Sequence, residues 1–282
     1  MSVINTNIKA LRTQEALQVN DRSLATAMQQ LSTGKRINSA ADDAAGLAIS
    51  TRMTSAIRGL DQAVRNAGDA ISLIQTTEAA TQTITDMLQR MRELAIQAVN
   101  DTNGTTERTY LSVEFVQLQA ELVRVADNTE WNGFNVLDGT AGLSSDGSLT
   151  FQIGTHSGET ISIDLPDFNG STVIGGVTST STVGITTAAL ATTALNLIDT
   201  ALDNVNLQRA TMGAKMNRLS YAMDNLTAVS TATSASRSRI EDTDYAKASS
   251  ALARAQIIQQ AATAVLAQAN TSQQSVLKLL NG

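Results

Sequence analysis

The chain has 282 residues, of which 42% are apolar but only 3% aromatic, and it carries a net charge of −6. So few aromatic side chains argue against the core of a compact globular enzyme. The scattered Lys and Arg form no basic stripe, so no nucleic-acid partner is expected. The absence of cysteine excludes disulfides and thiolate chemistry.

The first residues, Met1-Ser-Val-Ile-Asn-Thr-Asn, have no basic region, no apolar region and no small-residue cleavage site, so no general secretory signal is expected. Helical periodicity starts at once. Ile4, Ile8 and Leu11 form one patch, and Leu17, Leu24, Met28 and Leu31 fall at a and d spacing in a shifted phase. Gly34 interrupts the pattern, and Ser39-Ala-Ala-Asp42 reads as a capping box opening a second helix. That helix is the longest: Ile57, Leu60, Val64, Ala67, Ile71 and Ile74 step by three and four, and after a slip the pattern resumes at Thr81, Ile84, Leu88, Met91, Ala95 and Ala98. A helix over residues 42–100 is roughly 85 Å long at 1.5 Å per residue. Turn residues follow at Asn100–Thr105, and then a third apolar stripe at Leu111, Phe115, Leu118, Leu122 and Val125, which makes an antiparallel helical hairpin.

The character changes after Asn128. Trp131-Asn-Gly-Phe134 reads as a turn with apolar plugs. Leu149, Phe151 and Ile153 alternate with polar residues, as do Ile161, Ile163 and Leu165, with Gly154–Gly158 between them, so a β-hairpin is expected. Residues 169–187 are almost all Ser, Thr, Gly and Val and read as an exposed, loosely held loop, so trimming 172–184 is expected to be tolerated. Helical period returns from Leu195 to Leu226, with Arg209 in one slot of the stripe. It returns again at Leu252, Ala255, Ile258, Ala262, Val265, Ala269, Val276 and Leu279. Residues 255–277 carry no charge, but their glutamines and Asn270 are too polar for a spanning helix, so no membrane insertion is expected. The fold class is mainly α: a long antiparallel helical bundle or coiled coil with a small β-hairpin region and paired N- and C-terminal helices.

The two ends are too thin to cover their own apolar faces. The C-terminal segment is apolar or Ala/Gln on nearly every side, as in a helix buried all round. Both ends are therefore expected to be marginal in the free chain and to fold between neighbours. Unlike surfaces repeated by a rotation and a rise generate an open helical array. The residues expected to form that assembly core are Leu17, Leu24, Met28, Leu31, Leu252, Ile258, Val265, Val276 and Leu279. A closed dimeric or tetrameric coiled coil is the alternative from periodicity alone.

Several blocks resemble a known family. Ser32-Thr-Gly-Lys-Arg-Ile-Asn-Ser-Ala-Ala-Asp-Asp-Ala-Ala-Gly-Leu-Ala-Ile49 is similar to the N-terminal signature of bacterial flagellins. Ser236-Arg-Ser-Arg-Ile-Glu-Asp-Thr-Asp-Tyr-Ala246 and Val265-Leu-Ala-Gln-Ala-Asn270 resemble the C-terminal one. Gln75–Glu78, Leu88–Ala95 and Trp131–Phe134 resemble further blocks in the same order. The resemblance implies a structural subunit that polymerises into the flagellar filament used for motility. It implies an inner domain of residues 1–38 and 244–282, the terminal helices paired. It also implies a rod-like domain of residues 39–243 with three long helices and a hairpin region about 139–170. The Ser/Thr-rich loop about 170–187 stands where relatives carry an outer domain.

The partners so implied are further copies of the chain, hook-associated junction proteins, a filament cap and an export chaperone on the C-terminal helix. Location outside the cell, after export through the flagellar type III channel, is implied with them. A hook–filament junction protein is the alternative within the family, and the complete Ser-Arg-Ile-Glu-Asp-Thr-Asp-Tyr-Ala block favours the filament subunit. From spacing alone Arg90, Leu94 and Glu114 are ordinary helix residues. By resemblance, Leu88, Gln89, Arg90, Leu94 and Glu114 match the pattern of flagellins that animals detect through Toll-like receptor 5.

Catalytic and cofactor chemistry find no support. His156 is the only histidine, so no His pair can hold zinc. Asp42-Asp43 reads as a pair of helix-start carboxylates. No metal, cofactor or catalytic residue is expected.

Overall fold

The structure is a computed structural model that describes residues 6–142, 145–168, 173–178 and 183–280, the stretch 273–280 as backbone only. The described residues form six helices and two small antiparallel strand pairs. They divide into two compact units, residues 1–57 with 231–282, and residues 58–230.

In the first unit α1 (Ile8–Thr33) starts where the Asn7 side chain accepts the Ala10 N–H at 3.1 Å. It stops at Gly34, whose φ of 71° suits glycine and whose N–H closes on the Gln30 carbonyl at 2.9 Å. Its partner α6 (Tyr245–Leu280) begins at Asp244, whose carboxylate accepts the Ala246 N–H at 2.9 Å. Residues 34–43 and 242–244 connect these two helices to α2 (Ala44–Val99) and α5 (Ala188–Glu241). The connectors are joined by backbone bonds from Arg36 N–H to Glu241 at 2.6 Å and from Thr243 N–H to Gly34 at 2.9 Å. Arg36 also donates to the Ile240 carbonyl at 2.8 Å, Lys35 pairs with Glu241, and Ile37 is buried beneath.

The expected capping box works differently. Asp43 caps α2, accepting the Gly46 N–H at 2.8 Å. Asp42 closes the preceding turn, accepting the backbone N–H groups of Ser39 at 2.8 Å and Asn38 at 3.1 Å. Those bonds favour its ionised form and hold the carboxyl below its ordinary pKa of 3.8, the Ser39 amide contributing most.

The second unit packs the rest of α2 and α5 with α3 (Thr105–Asn128). Leu73, Ile74, Ile84, Leu88, Met91, Leu94, Phe115, Leu122, Ile198 and Val205 are buried there. Where the apolar stripe of α2 slips, Thr77, Thr81 and Thr85 are buried instead, and each hydroxyl donates to a carbonyl of its own helix at 2.8–2.9 Å. Half-buried Arg209 sits 3.6 Å from Glu78.

The Trp131–Phe134 turn is a minimal hairpin of β1 (Glu130–Trp131) and β2 (Phe134–Asn135), with Asn132 at φ 50° and Gly133 at φ 80°. Strands β3 (Ser148–Gln152) and β4 (Thr160–Asp164) pair with Leu149 opposite Ile163 and Phe151 opposite Ile161. On β4, Ile161 and Ile163 are buried and the residues between them exposed.

The expectation of a loosely held loop over 169–187 is overturned for its described part. Val173, Ile174, Val177, Val183 and Ile185 are buried in the core, around the short helix α4 (Gly175–Thr178). Gln119 of α3, itself buried, donates to the carbonyls of Val177 at 2.8 Å and Val183 at 3.3 Å. The apolar residues are spaced to plug the bundle although their neighbours are Ser, Thr and Gly. Residues 169–172 and 179–182 lie outside the described part.

Candidate functional site

The terminal pair is the first candidate, and its geometry follows a heptad. Along α1 the residues turned to α6 are Ala10, Thr13, Leu17, Asn20, Leu24, Ala27 and Leu31. Along α6 they are Ala248, Leu252, Ala255, Gln259, Ala262, Leu266 and Ala269, and every one is buried or half-buried. Steps of three and four alternate on both helices, the signature of a coiled-coil seam. Two cross-helix bonds show that the helices run antiparallel and in step: Asn7 donates to the Ala269 carbonyl at 3.3 Å and Asn20 to that of Ala255 at 2.8 Å.

The seam alternates alanines with half-buried leucines and a few polar residues, and many of the large side chains face away from it. Met28 is 55% exposed, Ile258 45% and Val265 56%. Ile8, Leu11, Val19 and Ile257 are exposed as well. Periodicity of the large residues places Met28 with Leu24 and Leu31, whereas Ala27 fills that seam position. Of the residues expected in an assembly core, Leu17, Leu24, Leu31 and Leu252 line the intramolecular seam. Met28, Ile258 and Val265 lie off it, and the side chains of Val276 and Leu279 lie outside the described part. Sequence reading passed over Val19 and Ile257; the signal was there, as apolar residues beside the stripe rather than on it. Singly exposed apolar residues are ordinary, but a face made of them along two paired helices marks an interaction surface.

The second candidate lies on α2 and α3. Arg90 donates to Glu114 at 2.8 Å and to Glu93 at 2.9 Å, all three at the surface. These bonds, Glu114 first, raise the Arg90 pKa above its ordinary value. Gln89 is exposed beside them, while Leu88 and Leu94 are buried in the core beneath. Tyr110 and Val113, also absent from the sequence reading, are exposed near Glu114 along α3.

His156 is exposed at the tip of the β3–β4 hairpin, where its backbone N–H donates to Glu159 at 3.0 Å. Among the described residues no three His, Asp or Glu side chains gather as metal ligands, and no helix is long and apolar enough to cross a membrane.

Two family models match the chain. The bacterial flagellin N-terminal helical region covers residues 4–142 and the C-terminal helical region residues 195–280. A flagellin of Halalkalibacterium halodurans is 42% identical over 278 residues, covering 99% of each chain. The chain belongs to the bacterial flagellin family. A flagellin of Treponema pallidum is 39% identical over 285 residues, again 99% of each chain. Flagellin A of Vibrio cholerae is 35% identical, covering 98% of this chain and 99% of that one. The crystal structure of Bacillus cereus flagellin superposes with a TM-score of 0.50 at 36% identity, covering 57% of this chain and 88% of that one. As a flagellin the chain is a structural subunit of the flagellar filament, outside the cell, and not an enzyme. The terminal helices and the Arg90 region both fall within the matched segments.

Proposed function

We propose that this flagellin polymerises by burying the outward apolar face of α1 and α6 between neighbouring copies, with Met28, Ile258 and Val265 in that contact. The observation that carries the reading is that, beyond the alanines and leucines of the seam, the pair leaves Met28, Ile258, Val265 and further large apolar side chains exposed on its outer face. Burying a side chain of that size contributes about 1.5–3 kcal/mol, and repetition along two helices makes the contact strong. Leu17, Leu24, Leu31 and Leu252 then keep the pair together. Residues 1–38 with 244–282 act as the inner, assembling part, and 39–243 as the rod.

The test is to place charge on the outer face. Ile258→Asp with Val265→Asp leaves the seam untouched, so a soluble chain of parental helix content that no longer pellets as polymer is expected. Polymer of normal yield would contradict the reading.

The resemblance supports export through the flagellum's own type III channel, attachment through hook-associated junction proteins, growth beneath a filament cap, and an export chaperone on α6. It supports as well a monomer recognised by Toll-like receptor 5. Gln89, Arg90 and Glu114 supply the polar contact surface, and Leu88 and Leu94 hold that stretch of α2 from below. Arg90→Ala is expected to lower receptor signalling by monomer about tenfold, the scale of one good charged contact. Undiminished signalling would count against it.

A further inference from the structure

Asn20 is a buried carboxamide in a seam otherwise of alanines, leucines, Thr13 and Gln259. It is 7% exposed, and its Nδ2 donates to the Ala255 carbonyl at 2.8 Å. A carboxamide buried without that bond would be penalised, so the position has a strong preference about what lies opposite. To reach a backbone carbonyl it needs a side chain no larger than alanine there. The seam of α6 supplies alanines every seven residues, at 248, 255, 262 and 269, with Leu252, Gln259 and Leu266 between them.

An apolar seam residue at this place would tolerate either phase. The alanines and leucines of two such helices pack in many ways, and apolar periodicity alone specifies register weakly. We infer that Asn20 is a positioning residue that fixes the phase of the terminal pair: it admits registers with an α6 alanine opposite and rejects those, half a heptad away, with Leu252, Gln259 or Leu266 there. The backbone bonds of Gly34 with Thr243 and of Arg36 with Glu241 then select Ala255 among the admitted alanines. The phase matters because it decides which way Ile258, Val265 and Met28 point. The consequence for assembly rests on the polymerisation face proposed above, but the phase itself can be tested without it.

The chain lacks cysteine, so introduced pairs report cleanly. Counting seven residues from Asn20 and Ala255 toward the chain ends sets Thr13 opposite Ala262 in the observed phase, and opposite Leu266 after a slip of four. In the full chain, Thr13→Cys with Ala262→Cys reports the first and Thr13→Cys with Leu266→Cys the second, after oxidation with copper phenanthroline. Both are read on soluble chain and on pelleted polymer.

With Asn20 present the in-phase cross-link is expected to exceed the other by about tenfold, the scale of one buried polar group left unpaired. Asn20→Leu is expected to bring the two near equality, and Asn20→Gln, which keeps the donor, to restore most of the difference. Should Asn20→Leu lose helix content by circular dichroism, Asn20→Ala is read in the same way. An unchanged preference without the carboxamide, or no preference in the parent polymer, would overturn the inference. A chain that cross-links in phase yet never pellets would contradict the polymerisation face and leave Asn20's role standing.

Discussion

The two units of this chain use the same helical chemistry to opposite ends. In the unit of residues 58–230 the large side chains point inward: Phe115, Phe168, Leu73, Ile84, Leu88 and Met91 are fully buried. In the terminal pair the buried seam residues are Ala10, Asn20, Ala27, Ala248 and Ala255, and the leucines are only half covered. A domain that buries its Phe, Leu and Ile within itself has the means to offset the entropy of ordering its chain. A pair of helices that buries small alanines and only half covers its leucines has less with which to do so, and it leaves large side chains such as Met28, Ile258 and Val265 exposed. On the polymerisation proposed above, the difference separates a part that folds alone from a part that folds on assembly.

The strongest way to break this comparison acts on the self-sufficient unit. Deleting residues 172–184 removes Val173, Ile174, Val177 and Val183 from the core. At about 1.5–3 kcal/mol each the loss is about 6–12 kcal/mol, comparable with the whole stability of a domain. Loss of the cooperative thermal transition is expected, and a transition near the parental temperature would show that these side chains contribute little.

A smaller effect sharpens the contrast at the connectors. The folded-state pKa of Asp42 lies below its ordinary value, so its contribution is present above the usual carboxylate range and is lost as pH falls through the folded value. Asp42→Asn is therefore expected to lower Tm modestly at neutral pH. The difference from the parent should close as pH falls below the ordinary carboxylate range and through the lowered folded value, as followed by circular dichroism. A difference that persists in acid would mean that Asp42 acts through something other than its charge.

The long helices were legible because apolar steps of three and four persist over many turns in α2, α3, α5 and α6, and the hairpin because its strands alternate. What escaped was governed by small or short-range features. The seam of the terminal pair follows alanines, so a reading led by large side chains put Met28 where Ala27 sits. Asp43 rather than Ser39 caps α2 because the chain makes one more turn first, held by Asp42. The stretch from Val173 to Ile185 looked like solvent-facing low complexity because Ser, Thr and Gly outnumber its five core residues. Of the candidate sites, the sequence contained Arg90 and Glu114, but their 2.8 Å pairing needs the α2–α3 hairpin to bring residues 24 apart together. The apolar stripe of α2 already placed Leu88 inward, whereas Leu94 lies off that stripe and its inward face is decided by burial.

The central claim is that the terminal helices depend on neighbours and the other unit does not. Amide hydrogen exchange, measured on the dilute soluble chain and on assembled filament, addresses both halves at once. Slow exchange in α3 and in the middle of α2 and α5 in both states is predicted, with fast exchange across α1 and α6 in the soluble chain that becomes slow in filament. Equal, strong protection of α1 and α6 in the dilute soluble chain would contradict the account.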